Sequence, residues 1–164
     1  MLFGAHVSSA GGISKAIDRA AELGCDAVQV FTQSPRMWRP TAHGDEEVAR
    51  FRARRAEAGI EAVVCHALYL VNLAGSDREL HEKSVTAMRA SLETASAIGA
   101  EGVVFAAPSF CDPALLERPM LQDVLGRHKI PYTAFKYAEN TGQMAPIREQ
   151  AGTFADSIKL WSAA

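Results

Sequence analysis

Ala58-Gly59-Ile60-Glu61-Ala62-Val63-Val64-Cys65-His66 carries the pattern on which the fold turns. An amphipathic stretch ends at Ala58, and the glycine after it stands where a helix needs a left-handed C-terminal residue. A short apolar, partly β-branched run follows at once, the composition of a strand. Because Ala62-Val63-Val64-Cys65 is apolar on both sides, it reads as a strand of a parallel sheet buried on both faces. Working outward, the same alternation of short run and longer amphipathic stretch recurs about five times. Strands are expected at residues 2–7, 27–32, 61–65, 102–106 and 132–137, and helices at 14–23, 45–58, 77–98, 113–127 and 145–161.

Leu23-Gly24 and Ile98-Gly99 repeat the glycine stop of Ala58-Gly59, while Ser76-Asp77 and Asp112-Pro113 supply N-terminal capping residues. No Gly/Ser-rich linker interrupts the 164 residues, so a single α/β domain over 1–164 is expected. With 48% apolar and 22% charged residues the chain reads as globular rather than disordered. Seventeen Lys and Arg against 19 Asp and Glu leave a formal charge of −2, which excludes the global basic field of a non-specific nucleic-acid binder. Cys25, Cys65 and Cys111 form no CxxC pair, against a disulfide framework or a self-contained zinc module. No apolar run approaches membrane-spanning length, and Gly4-Ala5-His6-Val7 follows no signal-like segment, so a cytoplasmic protein without a membrane partner is expected.

Three loops stand at the C-terminal ends of the first three strands, where α/β folds place their chemistry. They are Gly4-Ala5-His6-Val7-Ser8-Ser9-Ala10-Gly11-Gly12, Phe31-Thr32-Gln33-Ser34-Pro35-Arg36-Met37-Trp38-Arg39 and His66-Ala67-Leu68-Tyr69-Leu70-Val71-Asn72-Leu73-Ala74. Together they resemble the front part of the endonuclease IV family, TIM-barrel enzymes that cut DNA at abasic sites, over about the first hundred residues. The resemblance implies a trinuclear zinc site in which metal-bound hydroxide attacks a phosphate. By it, His66 matches a zinc ligand, and Arg36 and Tyr69 match residues of the loops that penetrate the DNA at the lesion. Read from the residues alone, His66 is a hydrogen-bonded structural histidine, His6 one satisfied by backbone, and Arg36 and Arg39 solvated loop charges, while Tyr69 and Trp38 serve equally as packing residues.

The chain departs from that family where a second histidine ligand belongs, since Phe105-Ala106-Ala107-Pro108-Ser109-Phe110 has alanine in its place. The remaining ligands belong to later strands of a barrel that typically needs about 250 residues. From about Gly99 a different resemblance takes over. Phe110-Cys111-Asp112-Pro113-Ala114, His128-Lys129-Ile130-Pro131-Tyr132 and Tyr137-Ala138-Glu139-Asn140-Thr141-Gly142-Gln143 resemble the C-terminal end of the 2-hydroxyacyl-CoA dehydratase and benzoyl-CoA reductase family. That resemblance makes Cys111 the match of a thiolate ligand to an iron–sulfur cluster. Cys25 and Cys65 lie in the other segment, so neither the zinc nor the cluster ligand set is complete and no cofactor is expected.

The chain thus divides into an endonuclease IV-like segment, 1–100, and a dehydratase/reductase-like segment, 101–164, with a crossover within 98–105. The expected architecture is a flavodoxin-like three-layer sandwich of strand order 2-1-3-4-5, the alternative being a partial TIM barrel closed by dimerisation. The expected function is that of an engineered or recombined chimeric scaffold, inactive as an enzyme, with no certain partner, a homodimer as the open alternative, and no DNA binding. The alternatives are a vestigial abasic-site DNA-binding module that keeps Arg36, Trp38 and Tyr69, and a residual metal or iron–sulfur protein.

Overall fold

The computed structural model describes residues 2–138 and 144–162. Its elements follow one another as β1 (Gly4–His6), α1 (Ser14–Glu22), β2 (Ala27–Phe31), α2 (Asp45–Ala58), β3 (Ala62–His66), α3 (Arg78–Ala97), β4 (Val103–Pro108), α4 (Asp112–Arg127), β5 (Tyr132–Tyr137) and α5 (Met144–Ser162). The protein is α/β with parallel sheets, and each of these strands is followed by a helix. Glu139-Asn140-Thr141-Gly142-Gln143, part of the second resemblance, lies outside the described residues.

The chain forms two compact units. One holds the residues up to Leu73 together with Asp77–Ala100, the other Ala74–Ser76 together with the residues from Glu101 onward. In the first, β1, β2 and β3 form a parallel sheet in that order, with Val28 opposite Ala5 on one side and Val63 on the other. In the second, β4 and β5 pair in parallel, Val103 opposite Tyr132.

This order corrects the flavodoxin-like expectation, in which β2 would be an edge strand and β1 would lie between β2 and β3. Here β2 is central, as in an arc of a parallel barrel. The expectation rested on the loss incurred if strands apolar on both sides left one face to water. The residues of the sheet limit that loss. Val28 and Val30 of β2 are fully buried against Ile13 at the N-cap of α1, Ala16, Ile17 and Ala20 of α1, and Phe51 of α2. The opposite face of the sheet carries Gly4, Ala27, Gln29 and Ala62, which are small or polar, together with Val64, which is half-exposed, and at its C-terminal end Phe31, which packs against the rings of His6 and His66. Burial is worth about 25 cal/mol per Å² of apolar surface, so alanine and glutamine leave little to gain from a second layer.

Local signals set the element ends. Gly59 has φ 66°, a left-handed conformation that an L side chain resists, and Gly24 and Gly99 end α1 and α3 in the same way. Asp77 caps α3 by accepting from the Leu80 N–H at 2.9 Å. Asp112 does not cap α4 as expected: Cys111 occupies the N-cap position without a side-chain bond, and Asp112 is already helical. The first strand is shorter than expected because the Phe3 carbonyl accepts from both Asp26 and Ala27, and the regular ladder begins only at Gly4.

Candidate functional site

Strand register assembles the site. In the parallel sheet His6 lies opposite Gln29, and Phe31 lies opposite His66. Side chains alternate along a strand, so Gln29 and Phe31 point to the same face as these two histidines. The Phe31 ring sits 4.6 Å from that of His6 and 4.8 Å from that of His66, while the two imidazoles stack 6.1 Å apart. Tyr69, three residues past β3, closes the group edge-on to Phe31 at 5.2 Å and to His66 at 5.6 Å. Tyr69 remains 62% exposed, so its ring borders the group instead of filling a core.

Hydrogen bonds fix the imidazoles. Gln29 Nε2 donates to His6 Nδ1 at 2.9 Å, which leaves the proton of a neutral ring on Nε2. His6 is therefore satisfied by a side chain and exposed, not buried against backbone as the sequence suggested. Partial desolvation among these rings, and then the charge His66 can carry, hold its pKa below the ordinary imidazole range. His66 donates from Nδ1 to the Ala67 carbonyl at 2.5 Å, so its Nε2 keeps a free lone pair.

The second loop is a tight turn in which Met37 N–H donates to Ser34 O at 3.4 Å. Pro35 takes the position whose φ a proline ring presets, and Arg36 follows at the exposed tip. Tyr69 N–H donates to the Pro35 carbonyl at 3.2 Å, tying the Arg36 turn to the Tyr69 loop. Arg36 and Arg39 are exposed and Trp38 half-buried. On the other side the first loop is clamped by Arg19, whose guanidinium donates to the carbonyls of Ser8 at 2.6 Å and Ala10 at 2.9 Å. Glu47 Oε1 accepts from the Ser14 N–H at 2.8 Å and caps α1 from the neighbouring helix. That bond holds its carboxyl below the usual carboxylate range, with Arg50 and His43 assisting. Gly12 is favoured here by its φ of +127°, a conformation that L side chains rarely adopt, and a Cβ would also displace the Glu47 carboxylate, whose Oε1 lies 2.5 Å from that position. Neither Arg19 nor Glu47 stood out in the sequence, for a clamp between segments 9 to 33 residues apart has no local signature.

His66, Arg36 and Tyr69 thus lie on adjacent loops of one unit, and His6, Gln29 and Phe31 join them. A metal at His66 would use its free Nε2. Among the described residues, however, no group of three or more His, Cys, Asp or Glu side chains could hold a metal ion. The described donors therefore do not fit a zinc cluster, and a full set would need ligands beyond them. Cys111 is the single cysteine of the other unit and sits half-buried at the start of α4, so the described residues of that unit do not fit a cluster held by several thiolates. Cys65 of β3, on the face packed against the buried cluster, has its thiol pushed up to about 11 by burial. No helix among the described residues is long and apolar enough to cross a membrane.

A parallel arc of βα units with histidines and loop residues gathered at its C-terminal strand ends defines a barrel-type α/β protein. Residues 17–155 match the family of xylose isomerase-like TIM barrels, and the chain belongs to that family. It is 49% identical over 98 residues to a probable endonuclease 4 of Halorhodospira halophila, a match covering 60% of this chain and 33% of that protein. The crystal structure of endonuclease IV from Thermus thermophilus superimposes with a TM-score of 0.66 at 37% identity, covering 82% of this chain and 51% of that one. A further match, 75% identical over 71 residues, is to one of the subunits of benzoyl-CoA reductase from Thauera aromatica, covering 43% of this chain and 18% of that protein. The composition is thus chimeric, with both resemblances present in one chain. The chain spans about a third or less of the length of these curated relatives. The expectation of a non-enzymatic scaffold is corrected here, because the first segment's relatives are named endonucleases and the structural neighbour is one as well.

Proposed function

We propose that the unit built on β1, β2 and β3 is an abasic-site recognition module of an endonuclease IV-type enzyme. Arg36 and Tyr69 probe the duplex, and His66 is its contribution to a phosphodiester-cleaving centre. The observation that carries this reading is the bond from Tyr69 N–H to Pro35 O, which presents an exposed guanidinium and an exposed ring as one piece beside His66. An abasic site is a gap in the base stack. An aromatic ring inserted there recovers stacking worth about 1–3 kcal/mol, and an adjacent arginine can stack or neutralise phosphate. In an intact duplex the same ring must first displace a base, at a few kcal/mol.

The charge balance supports a selective reader over a general binder. With a net charge of −2, affinity rests on a few local cations such as Arg36 and Arg39, so little of it comes from counterion release and its salt dependence is shallow. Fluorescence anisotropy with a duplex carrying one tetrahydrofuran abasic analogue, against the intact duplex, tests the proposal. A preference of about tenfold or more is expected, corresponding to one stacked ring. Equal binding to both would overturn it.

A further inference from the structure

We infer that the imidazole pair of the first unit cleaves DNA at abasic sites by β-elimination, with His66 Nε2 as the base and His6 Nε2–H as the donor to the departing phosphate. This inference rests on the recognition reading given above and adds the reaction that follows recognition.

The two rings are alike in position and opposite in hydrogen-bonding sense. They stack with centroids 6.1 Å apart and planes inclined by 26°, and both residues are exposed to solvent. The Gln29 amide donates to His6 Nδ1 at 2.9 Å, so in the neutral ring the proton stands on Nε2. His66 donates from Nδ1 to the Ala67 carbonyl at 2.5 Å, so in its neutral ring Nε2 carries the lone pair. A donor and a base thus stand side by side, and each tautomer is set by a different neighbour.

The ring-opened form of an abasic sugar supplies the matching chemistry. Its C1′ is an aldehyde, which makes the C2′ protons acidic, and its C3′ carries the phosphate. With the Tyr69 ring in the base gap, the sugar of that gap lies beside His66, whose ring is 5.6 Å from that of Tyr69. His66 Nε2 takes one C2′ proton. The C2′–H electron pair becomes the C2′=C3′ double bond, the C3′–O bond breaks, and its pair leaves on the oxygen that becomes the 5′-phosphate of the next nucleotide. His6 Nε2–H bonds to that oxygen as charge gathers on it, and the exposed Arg36 guanidinium supplies a counter-charge. His66 then returns its proton to water, so the chain ends unchanged and no oxidant or nucleophile is consumed. The step asks of the site a base and a donor, the two groups that its hydrogen bonds prepare.

The test incubates the full-length chain, with EDTA present, with a duplex carrying a natural abasic site made by excising uracil, and with one carrying the tetrahydrofuran analogue, which lacks the aldehyde. Denaturing gels of the end-labelled strand should show an unsaturated aldehyde at the 3′ end from the natural site and no cleavage of the analogue. His66→Gln should slow the reaction about a hundredfold. His6→Phe, which keeps a ring against Phe31 and removes the donor, should slow it as well. Both residues are exposed, so neither substitution opens the core. A 3′-hydroxyl product, a rate unchanged in His66→Gln, or covalent trapping of the chain on the natural site by cyanoborohydride, the mark of an amine nucleophile, would each overturn the assignment. Anisotropy on the analogue separates the two readings. Preferential binding without elimination at the natural site overturns the reaction and leaves recognition standing, whereas elimination without preferential binding supports the reaction and overturns recognition.

Discussion

Tyr69 donates its backbone N–H to the carbonyl of Pro35 at 3.2 Å, so the loop after β3 and the turn that carries Arg36 behave as one body. Two consequences follow for binding. Each side chain depends on the position of the other, and disturbing the turn should displace both.

Substituting Tyr69→Ala or Arg36→Ala is therefore expected to remove most of the preference for abasic over intact duplex, about 1–3 kcal/mol for the ring. The double variant should lose less than the sum of the two, as residues sharing one structural element do. Pro35→Gly, which frees the turn without touching either side chain, should weaken the preference as well. Anisotropy titrations of the four proteins on both duplexes measure this. Strict additivity would show that the two loops act separately.

Glu47 links stability to pH. Its carboxyl is held below its ordinary value of 4.5, chiefly by the Ser14 N–H, so the ionised form is favoured in the folded chain. The stabilisation is fully present above the unfolded carboxylate range and is lost as pH falls through the folded pKa. Glu47→Gln should be less stable than the unsubstituted chain by about 1 kcal/mol at neutral pH, the worth of a helix cap. The gap should close on acidification. Urea unfolding across the acidic range reads it, and a gap that persists after protonation would show that packing, not charge, carries the effect.

Burial raises the Cys65 thiol from 9.0 to about 11. At mildly alkaline pH its thiolate fraction is then about a hundredfold below that of the unfolded chain, and alkylation by iodoacetamide, read by peptide mass mapping, should slow by at least that order. The linkage has the opposite sense to that of Glu47. The unfolded thiol ionises first as pH rises, so stability declines above the unfolded value of 9.0.

Lys129 has φ 55° after the end of α4, the left-handed conformation that glycine supplies after α1, α2 and α3. An L side chain there costs about 1 kcal/mol, partly offset by the greater freedom glycine has when unfolded. Lys129→Gly should therefore stabilise the second unit by about 0.5 kcal/mol, and Gly59→Ala should destabilise the first by about 1 kcal/mol. Thermal unfolding of the two variants provides the comparison.

Much of the local structure was legible in the chain. The glycines at 24, 59 and 99 fall where helices end, Asp77 caps as its position suggested, and the helix expected at 45–58 is α2, Asp45–Ala58. These are signals within a few residues, where backbone sterics and a single side-chain bond decide the outcome. Asp112 misled for the same reason, since whether it caps depends on where the helix starts, and the helix had already begun at that residue.

By itself the sequence determined the succession of βα units, the two resemblances and the candidates His66, Arg36 and Tyr69. Tertiary structure decided that β2 lies between β1 and β3, that His6 receives a hydrogen bond from Gln29, and that the Arg36 turn is tied to Tyr69. Local patterns repeat every few residues and say which segments become strands, but every strand of a βα series carries nearly the same pattern, so strand order is not written in any one of them. It follows from which faces must be buried. Val28 and Val30 needed the cover of α1 and Phe51, whereas Ala27, Gln29 and Ala62 opposite them did not need a second layer, a balance that exists only once the strands lie side by side.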